Sequence, residues 1–328
     1  MQDFRTLRGC LPLVAAFAVV AFDSIAVTAA DPTLVKTTHT YKTVGDCEIQ
    51  ADVYRPGGDA VQPVVVWIHG GALIVGSRQG VSRNLKALCQ AEGFILVSID
   101  YRLAPEVKVP AIIEDLQDAI RWVREKGPEL FHCDPNKLVV AGGSAGGHLT
   151  MSAGVWVKPP PTALVAYWGY GDIDKPWLTE PSPHHGHPNS LMPMEEMKKA
   201  VGPKVISGTG AGNQAARGSY YRYLRQNGLW TKEVSGFDPA TQQRELDRYC
   251  PVRNITSEYP PILMVHGTKD TDVPYSKSAD MAKELARHNV SHELVTVPDG
   301  GHGLGGADPK LRADAHARAL EFIKQHLK

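Results

Sequence analysis

Leu138-Val139-Val140-Ala141-Gly142-Gly143-Ser144-Ala145-Gly146-Gly147-His148 is a short apolar run that breaks into glycines around one serine. Its centre fits G-x-S-x-G, which demands a strand, a very sharp turn and a helix in immediate succession. Val139 and Val140 supply the strand. Residues 145–153 are small and apolar enough to open a buried helix. At such a turn the serine backbone is strained and the neighbouring chain passes close by. Gly142 and Gly146 leave room because they lack Cβ. The turn lifts Ser144 Oγ clear of the sheet, where a carbonyl can reach it. Alone, the motif arises by chance in many chains, and the plain alternative is a glycine-rich turn with an incidental serine. Its weight comes from partners elsewhere in the sequence.

The flanking sequence supplies a sheet for that turn. Val64-Val65-Val66-Trp67-Ile68 is a continuous apolar run, the pattern of a central strand covered on both faces. Residues 94–99, 163–168, 261–265 and 292–297 read as further buried strands. Residues 35–41 and 48–54 read as edge strands around Val44-Gly45-Asp46. Helices are predicted over 80–92 and from Pro110, with Ile112, Leu116, Ala119, Ile120 and Val123 on one face. A final helix follows Asp308-Pro309, with Leu311, Ala315, Ala319, Phe322, Ile323 and Leu327 inward. Alternation of this kind predicts an α/β fold: a mostly parallel sheet of about eight strands with helices on both faces. One stretch breaks the pattern. Residues 169–261 are rich in Pro, Gly, His and Tyr, lack a strand signal and are too long for a simple connection. They predict a lid insertion over about 170–256, partly helical around 219–226, folded over the sheet edge within one domain spanning 31–328.

A serine alcohol is a poor nucleophile at neutral pH. It needs an imidazole to take its proton, a carboxylate to hold that imidazole and donors for the oxyanion, in the chain order Ser, Asp, His. His302, in Pro298-Asp299-Gly300-Gly301-His302-Gly303, follows the last strand in a glycine-rich loop that lets an imidazole reach across the site. His266, His288 and His292 lie on or beside regular elements, where local hydrogen bonds are their expected role. The acid lies in His266-Gly267-Thr268-Lys269-Asp270-Thr271-Asp272-Val273-Pro274. Asp270 is preferred because it stands nearest the strand end, which leaves Asp272 as a turn or cap residue. Asp299 is a weaker rival whose ordinary role is turn formation. Backbone N–H groups of Gly70 and Gly71, in His69-Gly70-Gly71-Ala72 after an apolar strand, and of Ala145 after the serine are the expected oxyanion donors.

With these residues in place, the sequence resembles the α/β-hydrolase esterases, in particular their hormone-sensitive-lipase-like and acetyl-esterase branches. The resemblance rests on His69-Gly70-Gly71-Ala72, Asp100-Tyr101-Arg102-Leu103-Ala104-Pro105-Glu106, Gly142 to Gly147, Asp270-x-x-Val273-Pro274 and His302, over roughly residues 64–303 with the insertion aside. It implies Ser144 as nucleophile, Asp270 and His302 as its partners, and Gly70, Gly71 and Ala145 at the oxyanion. Residues 100–106 are implied as a structural signature with no chemistry. Ala72 stands where many members have glycine, and Gly143 where lipase-like members often have aspartate. Both departures lean towards small soluble acyl esterases. Residues 169–261 are expected to shape the pocket. The implied reaction is hydrolysis of short-chain acyl esters, small or polymer-borne, with no metal or organic cofactor. A serine peptidase of related fold and a non-catalytic binding protein are the other readings.

Composition excludes other classes. The formal net charge of zero gives no electrostatic case for nucleic acid or a membrane surface, and 43% hydrophobic with 21% charged residues is ordinary for a globular chain. Residues 1–30 read as a secretory signal peptide: Arg5 and Arg8 form a basic start, residues 11–22 an apolar run, and Val27-Thr28-Ala29-Ala30 a small-residue cleavage site. Export is the expectation, with no stable membrane insertion after cleavage. Cys47, Cys89, Cys133 and Cys250 then remain. They leave disulfides, in three possible pairings, and buried free thiols both open. His184, His185 and His187 sit among prolines in an expected exposed lid loop. The run Arg217, Tyr220, Tyr221, Arg222, Tyr223 and Arg225 reads as a helix with one wet and one packed face, and alternatively as a contact for a substrate carboxylate or sugar.

Overall fold

The apolar runs become the middle of one eight-stranded sheet. The computed structural model describes residues 34–186, 193–209 and 213–328; the expected leader over 1–30 and His187 lie outside the described residues. Strand β1 (Val35–Val44) pairs antiparallel with β2 (Cys47–Arg55), and β2 pairs antiparallel with β4 (Ile95–Ile99). From β4 onward the sheet is parallel, through β3 (Gln62–Ile68), β5 (Cys133–Gly143), β6 (Ala163–Tyr167), β7 (Ile262–Gly267) and β8 (His292–Val297). The order β1-β2-β4-β3-β5-β6-β7-β8 puts β3 and β5 side by side at the centre.

Successive strand residues face opposite layers. Val64, Val66 and Ile68 pack with α2 (Val109–Phe131), α3 (Ala145–Trp156) and the buried face of α9 (Ser276–Arg287). Val65 and Trp67 pack with α1 (Arg83–Glu92) and α10 (Pro309–Leu327). Both faces are therefore dry, which is why these strands carry no polar alternation.

Several boundaries move for local reasons. The first helix starts at Arg83, three residues later than expected, because Ser82 caps it by accepting the Leu85 N–H. The second continues through Gly127 and Pro128 to Phe131, whose ring is buried, so the strand after it begins at Cys133. Asp308 caps α10 as expected, but Leu311 in its first turn is exposed and not inward. Among the described residues, Cys47, Cys89, Cys133 and Cys250 are buried free thiols. That sets the disulfide reading aside, since they sit on β2, α1, β5 and the segment before β7. Burial pushes the Cys133 and Cys250 thiols up to about 12.

The β6–β7 connection carries α4 (Pro176–Thr179), α5 (Met194–Val201), α6 (Gln214–Asn227), α7 (Trp230–Ser235) and α8 (Gln243–Arg248). It is far more helical than the single expected helix over 219–226. It touches the loops at the C-terminal edge of the sheet. Thr209 N–H donates to Gly76 O, Leu103 N–H donates to Ile206 O, and Trp230 Nε1 donates to Ala72 O at 3.2 Å.

Candidate active site

The site is built where four parallel strands end. Ser144 links β5 to α3 with φ 57° and ψ −119°, a conformation that strains a residue with a side chain. Its N–H donates to Tyr167 O at 2.9 Å, tying the turn to β6. Close approach fixes what can follow. A Cβ on Gly146 would stand 2.1 Å from Ile68 O, so the start of α3 passes β3 only because no side chain intervenes. The loops after β7 and β8 meet the same way. A Cβ on Gly267 would stand 2.2 Å from Gly300 O, and Lys269 N–H donates to Gly300 O at 2.8 Å.

That contact brings three expected residues into series. His302 Nε2 lies 3.1 Å from Ser144 Oγ, and His302 Nδ1 lies 2.8 Å from Asp270 Oδ2. The other oxygen of Asp270 accepts the N–H groups of Asp272 and Val273, both at 2.9 Å. Burial alone would raise the Asp270 carboxyl, but hydrogen bonds from His266 and His302 outweigh it and hold the group well below the usual carboxylate range. His266, expected to make local bonds, does so with Ser278 Oγ and Val273 O, and also stands 3.4 Å from Asp270 Oδ2. Burial would lower His302. The hydrogen bond and charge of Asp270, with the charge of Asp272, reverse that and raise it. Asp299 is elsewhere, in an exposed pair with Lys269.

Gly70 lies against the serine, since a Cβ there would stand 3.3 Å from Ser144 Cβ. Among the described residues, no acceptor is found for the N–H groups of Gly70, Gly71 or Ala145. Ala145 is the first residue of α3, so its N–H has no intrahelical partner and carries the positive end of the helix dipole. The loop itself is braced. His69 stacks on Tyr101 at 4.3 Å, and Tyr101 OH donates to His69 O at 3.0 Å. Burial pushes His69 down to about 4, so the ring is neutral, and its 2.7 Å contact with Gly70 O assigns the proton to Nδ1. The 100–106 stretch supplies more struts. Asp100 pairs with Arg78, Arg102 with Asp115, and Ala104 N–H donates to Leu73 O.

Asp272 lies in the turn after β7, as expected, but its carboxylate also reaches the site. Its Oδ2 stands 3.5 Å from His302 Nε2. Its Oδ1 accepts from His185 Nε2 at 2.9 Å, Tyr221 OH at 2.5 Å and Arg225 Nη1 at 3.1 Å. His185 is accordingly half-buried, not exposed, while His184 is exposed. Helix α6 has its expected wet and packed faces, but Arg217 and Arg225 are both on the packed one. Arg217 donates to Ile74 O and Ala104 O and pairs with Glu106. Only the D-x-D spacing after the strand hinted that both carboxylates reach the site. Among the described residues, no group of three or more His, Cys, Asp or Glu is placed to hold a metal ion, and no helix is long and apolar enough to cross a membrane.

Comparison with known proteins agrees with the fold. A family model described as alpha/beta hydrolase fold matches residues 65–305. The non-reducing polyketide synthase prhL of Penicillium brasilianum is 26% identical over 89% of this chain and 14% of its own length. Esterase LipC of Mycobacterium tuberculosis is 28% identical over 80% of this chain and 58% of its own. The chain thus spans less than two thirds of either relative. Among solved structures, carboxyl esterase 2 (TmelEST2) of the fungus Tuber melanosporum has a TM-score of 0.63 at 20% identity, over 94% of this chain and 90% of that one, a likeness of fold.

Proposed function

The chain belongs to the alpha/beta hydrolase fold family, and from that premise we propose that it is a serine carboxylic-ester hydrolase acting on short-chain acyl esters. The observation that carries the reading is the series Ser144 Oγ, His302 and Asp270, joined at 3.1 and 2.8 Å, beside three N–H groups with no acceptor among the described residues. Ser144 attacks the ester carbonyl while His302 Nε2 takes its proton. The Gly71 and Ala145 N–H groups, with Gly70 beside them, meet the charge that develops on oxygen. His302 returns the proton to the leaving alcohol, and water then releases the acyl group by the same steps. Asp270 keeps Nδ1 protonated and turned away from the serine. The β6–β7 segment forms a lid wall over the pocket. Residues 1–30 direct export and are removed.

The experiment compares p-nitrophenyl acetate with aminoacyl amides, using wild type and Ser144→Ala, alongside fluorophosphonate labelling. Ester turnover and a Ser144 adduct, both lost in Ser144→Ala, are expected. Preferential amide cleavage turns the reading to a peptidase. Absence of any adduct in folded protein leaves a binding protein. For export, the N-terminus of secreted protein is expected to start after Ala30; intact residues 1–30 on secreted protein would refute cleavage.

A further inference from the structure

Asp272 plays no part in the Ser144–His302–Asp270 series, yet it faces the same imidazole nitrogen. Three donors from the β6–β7 segment hold its Oδ1. Oδ2 makes no hydrogen bond among the described residues and faces His302 Nε2 at 3.5 Å, with 26% of the side chain's surface open. The carboxylate cannot swing away. Arg225 is 3% exposed, packs on the Trp177 ring at 5.2 Å and also donates to the Asp272 carbonyl. Burial opposes ionisation of Asp272, but the His185 bond, the His302 charge, the Tyr221 bond and Arg225 prevail, so it stays a carboxylate. A fixed anion with one oxygen unclaimed therefore sits on the side of His302 from which the proton is returned.

We propose that Asp272 Oδ2 accepts a hydrogen bond from a hydroxyl on the substrate's alcohol part, next to the ester oxygen. The enzyme then prefers acyl groups carried on polyols, such as sugars or glycerol, to those on simple alcohols. This rests on the esterase reading above. The leaving oxygen must come within about 2.8 Å of Nε2 to receive its proton. A hydroxyl on the adjoining carbon, staggered, lies about 3 Å from that oxygen. It is thereby carried to the neighbourhood of Oδ2, where it makes a charge-assisted bond and keeps its own proton. A neutral donor suits the place, because Arg225 already offsets the carboxylate's charge and would repel an ammonium group. An anionic alcohol part meets Oδ2 directly and is disfavoured. Trp168, partly exposed and edge-on to His302 at 6.3 Å, offers an apolar face for a sugar ring.

The test is a matched pair: an acetylated methyl glycoside with a free hydroxyl beside the acetate, and the same compound with that hydroxyl methylated. Wild type is expected to favour the free hydroxyl in kcat/KM by roughly 10- to 100-fold, the range of a hydrogen bond to a charged group. In Asp272→Asn the ratio is expected to collapse towards one. A wild-type ratio near one overturns the proposal without any variant, as does an undiminished ratio in folded Asp272→Asn. Faster turnover of acetylcholine than of the free-hydroxyl glycoside by wild type would overturn it in favour of a cation site. The esterase reading fails separately, by absence of p-nitrophenyl acetate turnover and of a Ser144 adduct in wild type.

Discussion

The C-terminal edge of the sheet and the inner side of the β6–β7 segment both place polar groups in dry surroundings, and they do it with different chemistry. At the serine turn and the loops after β7 and β8 the work falls to backbone. Ser144 is held by a Tyr167 carbonyl, and the Asp270 and His302 loops are joined by a Lys269 to Gly300 bond across Gly267. The β6–β7 segment is held instead by buried guanidinium groups. Arg217, fully buried, binds two carbonyls and Glu106, and Arg225 binds Asp272. Backbone placement tolerates no extra atom. Charged anchors tolerate changes of shape but not loss of one partner.

The two carboxylates that end up beside His302 give the largest contrast. Asp270→Asn is expected to lower kcat on p-nitrophenyl acetate by about 10⁴-fold, because the imidazole loses the acceptor that fixes its tautomer. Asp272→Asn leaves that acceptor in place, so its loss on the same ester, which has no neighbouring hydroxyl, is expected to stay below about tenfold. Equal losses would mean that the acid is wrongly assigned.

Stability separates the regions next. Arg217→Met leaves Glu106 buried without its partner and is expected to cost about 3–5 kcal/mol, read from chemical denaturation. Adding Glu106→Gln is expected to restore much of it. Gly146→Ala is expected to cost at least as much. No second side-chain change should rescue it, since the obstruction is the Ile68 carbonyl. Rescue of Gly146→Ala, or no rescue of the arginine variant, would erase the distinction.

The pH profile is a finer probe. The base must be neutral to act, and His302 is raised above its ordinary 6.5, so kcat/KM should climb on the alkaline side of that value. The groups that raise it are Asp270 and Asp272, while burial and Arg225 act against them. Asp272→Asn is expected to move the acid limb to lower pH, and an unmoved limb would show that the charge is not felt at Nε2. For stability the sign runs the other way. A raised histidine contributes below its unfolded pKa, and that contribution fades as pH rises through the folded value.

What the sequence disclosed follows the same division. Ser144, Gly146, Gly70 and His302 were legible because each meets a backbone demand that leaves a local mark: a glycine at a close approach, or a loop straight after an apolar strand. The inner strands β3, β4 and β6 were legible for a similar reason, since double-sided burial forces unbroken apolar runs, whereas β1 and β8 are exposed or half-buried and carry polar residues. The partners of Arg217 and Arg225 were not. Glu106 lies 111 residues from Arg217 and Asp272 lies 47 from Arg225, and no local pattern distinguishes a buried arginine on a helix from a solvated one. Asp272 looked like a turn residue because its value depends on a segment folded over it. Helices α4, α7 and α8 span four to six residues each, too few for a helical period to be read.

The smallest effect tests how far backbone placement depends on side chains behind it. The expected oxyanion donors are main-chain groups, so no substitution removes one cleanly, and the loop can be probed only through its brace. Tyr101→Phe keeps the ring that stacks on His69 and deletes the hydroxyl that donates to His69 O. A carbonyl left unpaired in a dry interior costs about 1–3 kcal/mol in stability. If that bond also holds Gly70 and Gly71 at the serine, kcat should fall by a few-fold with KM unchanged, since the donors matter most when charge has developed on oxygen. A drop in stability with unaltered kcat would make residues 100–106 scaffolding alone. A drop in both would mean that the edge, like the segment above it, relies on a side chain reaching in from another loop, here the one after β4.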